Sequence, residues 1–221
     1  MKPNPDSNDD KPMLLKVIEL ILAKPENIRA EALHLLERYK KQYKADRTED
    51  EVCEMTADKI ISNYSYYAAF SGGATALAGV VPGLGTAIAT FGGATADTAL
   101  CMKFQIEMVM AIATIYDHDI RKEEEHRLCF IIAALGTINS AAKEGAKRIG
   151  TKAFIATAQQ YLKGATLAAV KELFKRVGIT FTRKALEKAA PFGIGVVISF
   201  SANKGLTWYV GSKAHDFYKT N

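Results

Sequence analysis

Between Lys59 and Asp97 lie 37 consecutive residues, Ile60 to Ala96, without a formal charge, and Pro82-Gly83-Leu84-Gly85 divides them. A folded chain must bury such a run or give it an apolar neighbour. Proline cannot continue a helix and glycine permits a reversal, so the pattern predicts a helical hairpin with its tip at Pro82, Gly83, Leu84 and Gly85. A membrane-spanning helix needs about 20 largely apolar residues. The two arms, Tyr66 to Val81 and Leu84 to Ala96, hold 16 and 13, too few for either to span alone. Glycine inside a water-exposed helix costs roughly 1 kcal/mol relative to alanine, so these arms suit close packing or a bilayer. Two environments fit, the interior of a helical bundle and a lipid phase.

The flanking sequence is helical in period. MLLKVIELILAK forms a short amphipathic helix, and Pro25 suits the first turn of a second, in which Ile28, Ala32, Leu35, Leu36, Tyr39 and Tyr43 recur at helical spacing. Thr48 to Glu51 reads as a capping box that opens a third helix carrying Val52, Met55, Ile60, Ile61 and Tyr64. Beyond the hairpin tip a helix is expected to run unbroken from Leu84 to Tyr116. A helix containing HRLCFIIAALGTINSAA follows, then basic helices, then a final helix opened by Pro191-Phe192-Gly193. No run alternates with the period of a strand. The expected fold is all-α, a multi-helix bundle with a central glycine-rich helical hairpin. Residues 1–12 are expected to be a disordered acidic lead without a secretory signal, and residues 13–221 a single helical domain, with amphipathic N-terminal helices over 13–63.

Charge is unevenly placed. Residues 1–141 carry 15 Lys+Arg against 20 Asp+Glu, whereas residues 142–221 carry 14 against 4. The basic end, with Lys143, Lys147, Arg148, Lys152, Lys171, Lys175, Arg176, Arg183, Lys184 and Lys188, would attract phosphate from lipid headgroups or from nucleic acid. Phe154, Tyr161, Phe174 and Phe181 lie among these cations, yet their helical spacing fits a core better than base stacking, and zinc-finger and RNP signatures are absent. Cys53, Cys101 and Cys129 are odd in number and lack CxxC spacing, which fits buried thiols in a reducing compartment.

Catalytic signatures are missing: no P-loop, dinucleotide fingerprint, HExxH or nucleophile elbow occurs. The four histidines show no metal spacing, and the expected cofactor and metal content is none. Asp117, His118 and Asp119, near Glu123 and His126, read as a helix-entry loop in which Asp119 caps. Asp97 stands apart as the sole charge from Ile60 to Met102, and a buried carboxylate must be paired, hydrogen-bonded or protonated. Gly85, Ala89, Gly93 and Asp97 recur every four residues, as do Gly195, Ser199, Asn203, Thr207 and Gly211. Two such small-residue stripes can approach closely. They would bring Asp97 to Asn203 or Thr207, with Lys204 at the margin.

Three segments carry a family resemblance: SGGATALAGVVPGLGTAIATFGGATAD, the long apolar helix ending in IATIYDHD, and AAPFGIGVVISFSANKGLTWYVGSKAHDFY. In this order and spacing they resemble the EcsC protein family, over roughly Tyr64 to Tyr218. One departure is Asp117, which stands where that family usually has glycine after the tyrosine. The resemblance implies a bacterial protein, hydrophobic or membrane-associated, of a family named for a member encoded beside an ABC exporter. It brings no catalytic mechanism.

Together these features predict a non-enzymatic helical protein, cytoplasmic and peripheral on the inner membrane. It binds anionic membrane lipid or a membrane partner through its basic third and the hairpin. A membrane protein or a second copy of the chain are the protein partners considered. The rival readings are a pore-forming effector, a lipid-acting enzyme using Asp97, and a nucleic-acid-binding helical protein.

Overall fold

The computed structural model describes residues 13–70, 77–143 and 200–221. Among these residues the chain is all helical, with seven helices and no strand. The first, α1 (Met13–Ile21), buries Leu14, Leu15, Val17, Ile18 and Ile21. α2 (Pro25–Tyr43) begins with its proline in the first turn and buries Ile28, Ala32 and Leu36, one stripe at four-residue spacing. α3 (Glu49–Ala69) opens on the expected capping box. The Glu51 amide donates to Thr48 Oγ1 at 3.3 Å, and the Thr48 amide donates to Glu51 Oε2 at 2.9 Å.

α3 passes through the start of the charge-free run and ends at Ala69. The chain is next described at Leu77, whose carbonyl accepts from Val80 and Val81 in a tight turn. Gly83 closes that turn at φ +80°, and a Cβ placed there would stand 2.8 Å from the Leu20 carbonyl oxygen of α1. Glycine is therefore required twice over, by the left-handed backbone and by the close approach. α4 (Leu84–Phe91) follows and is only eight residues long.

Gly92, at φ +84°, then turns the chain before α5 (Gly93–Ile115) begins. The helix expected to be unbroken from Leu84 to Tyr116 is thus two helices. This break separates Gly85 and Ala89 from Gly93 and Asp97. Gly85, Ala89 and Gly93 are exposed, and no atom lies within 4 Å of a Cβ built at Gly93.

Every other described helix packs against α5, and all residues from Cys101 to Ile115 are buried. Its segment Thr95–Ile115 is long and apolar enough to cross a membrane, but almost all of it is enclosed by the protein's own helices. α6 (Glu123–Lys143) and α7 (Phe200–Lys219) complete the bundle. α7 runs antiparallel to α3: Lys219 pairs with Glu54, Gly211 meets Ile61, and Lys204 meets Tyr66. A Cβ on Gly211 would stand 2.8 Å from Ile61 Cγ1 and 2.9 Å from Met108 Sδ. That glycine, from the second predicted stripe, is where three helices come together.

Candidate functional site

The end of α5 brings two of the sequence motifs together. The helix closes in a Schellman motif: the Asp117 amide donates to the Thr114 carbonyl at 3.1 Å and the His118 amide to the Ala113 carbonyl at 3.0 Å. Asp117 occupies the left-handed position at φ +71°, the conformation for which glycine is ordinarily used. The turn survives the replacement because aspartate tolerates left-handed backbone better than most residues. The chain reversal then aims the IYDHD segment at the KAHDFY segment of α7.

Three polar pairs form there. Tyr116 OH and His215 Nε2 lie 2.8 Å apart, His118 Nδ1 and Glu125 Oε2 lie 3.2 Å apart, and Cys129 Sγ and Tyr218 OH lie 3.3 Å apart. The His118 ring also meets the Tyr218 ring edge-on at 4.8 Å. The Cys53 thiol donates to the Ile115 carbonyl at 3.8 Å, covering a carbonyl in the last turn of α5. Burial pushes the Cys129 thiol up to about 12, with the Tyr218 hydrogen bond opposing, so it stays protonated and unreactive at neutral pH. Burial likewise raises the Tyr218 and Tyr116 hydroxyls well above their ordinary range. Each pair joins two helices, or a helix and its entry loop, and so works as a clasp.

Asp119 lies in the loop before α6. Its carboxylate accepts from Arg121 Nε at 2.7 Å, Nη2 at 2.9 Å and the Arg121 amide at 3.2 Å. The Arg121 side chain holds the Asp119 carboxyl down at about 2. It therefore orders the entry loop rather than the first turn of α6. His126 is half-buried and stacks on Phe130 at 5.2 Å, and burial lowers its pKa. Among the described residues no group of acidic, His or Cys side chains is arranged to hold a metal ion.

A second polar group lies inside α5. Lys103 Nζ donates to both Glu107 carboxylate oxygens at 2.7 and 2.6 Å, with the two side chains only 9% and 5% exposed. The same carboxylate accepts the Ala23 amide at 2.8 Å and thereby ties the link between α1 and α2 to the core helix. Tyr64 is also affected: burial first, and the Glu107 charge second, raise its hydroxyl. On the opposite side of the helix, two residues from each member of the pair, the fully buried Gln105 donates to Thr207 Oγ1 at 3.3 Å and to Cys101 Sγ at 3.7 Å. Lys103, Gln105 and Glu107 were not singled out in the sequence. The signal was present, since Lys103 and Glu107 are the only charges between Asp97 and Asp117 and stand one helical turn apart.

The predicted site residues fall as follows. Asp97 is half-buried in the first turns of α5, and Thr207 is buried with its hydroxyl engaged by Gln105. Lys204 lies over the Tyr66 ring, 3.8 Å from its centroid. At the turn Pro82 is exposed, Gly83 packs on Leu20, and Leu84 is completely buried. The side chains of Asn203 and Lys143 lie outside the described residues, as do Lys147, Arg148, Lys152, Lys171, Lys175, Arg176, Arg183, Lys184 and Lys188.

What these features define is an all-α protein built around one enclosed helix, whose clasps join the ends of the sequence motifs. It belongs to the EcsC protein family, whose model matches residues 48–220, most of the chain. No curated protein and no solved structure matches it.

Proposed function

We propose that this protein is a non-enzymatic, peripheral membrane protein that binds anionic lipid. The observation that carries the reading is the segregation of charge: 37 consecutive uncharged residues in one part of the chain, and 14 Lys+Arg against 4 Asp+Glu in residues 142–221. Polybasic segments gain about 1 kcal/mol per cation near an anionic leaflet. The polar pairs at the end of α5 are engaged in holding helices to one another, which favours a binding role over catalysis. On this reading the protein works at the cytoplasmic face of the inner membrane.

Contact through the hairpin turn is part of the proposal, with a change of residue. Leu84 is fully buried and Val80 is 75% exposed, so a charge at Leu84 damages the core whereas a charge at Val80 tests the surface. The experiment is flotation with neutral and anionic vesicles at low and high salt. Recovery should require anionic lipid and fall as salt screens the cations, and Val80→Asp should lower it without loss of helical content. Equal recovery with neutral vesicles removes the basic third from the mechanism.

A further inference from the structure

At the end of the bundle opposite the clasps, α3 and α7 present an aromatic surface with a single cation in it. Tyr66 lies in the last turn of α3 and Phe70, four residues on, caps its C-terminus, while Lys204 and Trp208 are one turn apart on α7. All three aromatic residues are large and open to solvent, at 48%, 60% and 59% exposed. The antiparallel register aligns Lys204 with Tyr66, its ammonium over the ring. Phe70 therefore lies one turn further out along the bundle and Trp208 one turn further in. At 1.5 Å per residue the ribbon from Phe70 to Trp208 is about 12 Å long.

We infer that this ribbon is the surface that enters the headgroup layer of an anionic bilayer. The inference rests on the membrane reading above and assigns its point of contact. Tryptophan and tyrosine suit that layer because each joins an apolar ring to a polar edge, and a lysine can keep its ammonium at the phosphates while its stem lies against apolar surface. The order along the ribbon fits the depth profile: the purely apolar Phe70 is outermost, Tyr66 and Lys204 follow, and Trp208 is nearest the water. Burial of about 5 to 10 Å is what an interfacial element reaches, close to the length of the ribbon.

Charge complementarity supports the same occupant. Residues 143–199 carry 11 Lys+Arg against 3 Asp+Glu, and this segment leads into α7 at Phe200, one turn before Lys204. The basic segment is thus tethered at the aromatic end of the bundle. A nucleic acid would instead ask for cations distributed among the stacking rings, and the ribbon has one.

Trp208 is the sole tryptophan of the chain and reports on the ribbon directly. With vesicles of mixed anionic and zwitterionic phospholipid, its emission should shift to the blue and lose part of its quenching by aqueous acrylamide, as befits the shallow end of the ribbon. Phospholipid brominated near the headgroup should quench it more strongly than phospholipid brominated at the chain end. The double variant Tyr66→Ser/Phe70→Ser, which changes exposed side chains, should bind vesicles about tenfold more weakly at unchanged helical content. If the protein floats with vesicles while Trp208 stays fully quenchable, or the double variant binds as the wild type does, the ribbon is not the contact and the membrane reading stands without it. If the protein does not float, both fall. A blue shift with nucleic acid and none with vesicles overturns the assignment of a bilayer.

Discussion

Replacing Glu107 by glutamine should be among the most damaging single changes in this protein, and replacing both members of its pair should be less damaging than replacing one. With 2.6 and 2.7 Å between Lys103 Nζ and the carboxylate oxygens, the attraction at an effective dielectric constant of 20 is about 6 kcal/mol. Taking each ion out of water costs several kcal/mol, so the pair contributes little net stability. Removing one partner leaves the other buried and uncompensated, at about 3 to 5 kcal/mol. The double variant Lys103→Met/Glu107→Leu removes both charges and loses mainly the acceptor of the Ala23 amide, at about 1 to 3 kcal/mol. Urea unfolding of wild type, Lys103→Met, Glu107→Gln and the double variant, followed by helical circular dichroism, measures the cycle. The expected order has the double variant above both singles. Losses below about 1 kcal/mol for each single, adding in the double, would mean that water reaches the pair and that the bundle does not enclose α5.

Other outcomes follow from single contacts. Asp117→Gly should raise the melting temperature by about 1 to 3 °C, because relief of the left-handed backbone exceeds the added unfolded-state entropy by about 0.5 to 1 kcal/mol, whereas Asp117→Ala should lower it. Gly211→Ala should cost about 1 to 3 kcal/mol in a thermal melt, since its new carbon must displace Ile61 or Met108. Alkaline titration should show cooperative unfolding above pH 9. The Cys129 thiol is raised from 9.0 to about 12 and the Tyr218 hydroxyl from 10.0, so the stability they contribute is complete below the unfolded values and lost as pH rises from about 9 towards about 12. Tyrosinate absorbance should therefore appear together with the loss of helix.

The parts of the fold legible in the sequence are those set by local chemistry. The stripe at Ile28, Ala32 and Leu36, Pro25 in its first turn and the box at Thr48 and Glu51 act within a few residues, and the structure follows them. Gly92 was not legible, because glycine is compatible with either sign of φ and only the packing around α4 and α5 selects the positive one. The all-round burial of α5 was equally hidden. Leu100, Phe104 and Met108 suggest one apolar face, and only the arrangement of the other described helices around α5 encloses Lys103 and Glu107 as well. Asp97 shows the converse, for isolation along the sequence is not depth in space: the carboxylate lies in the first turns of α5, half-buried, while the enclosed charges come six and ten residues later. The departure at Asp117 became interpretable once its φ was known, since the position asks for left-handed backbone.

Hydrogen–deuterium exchange of the protein free and bound to anionic vesicles tests most directly whether it docks as a folded bundle. The account predicts slow exchange throughout Cys101 to Ile115 in both states, with new protection confined to the ends of α3 and α7 near Phe70 and Lys204, the Val80 turn and the basic segment. Faster exchange in α1, α2 and α7, with α5 still protected, would show the bundle opening to release α5 into the bilayer. That result would contradict peripheral docking.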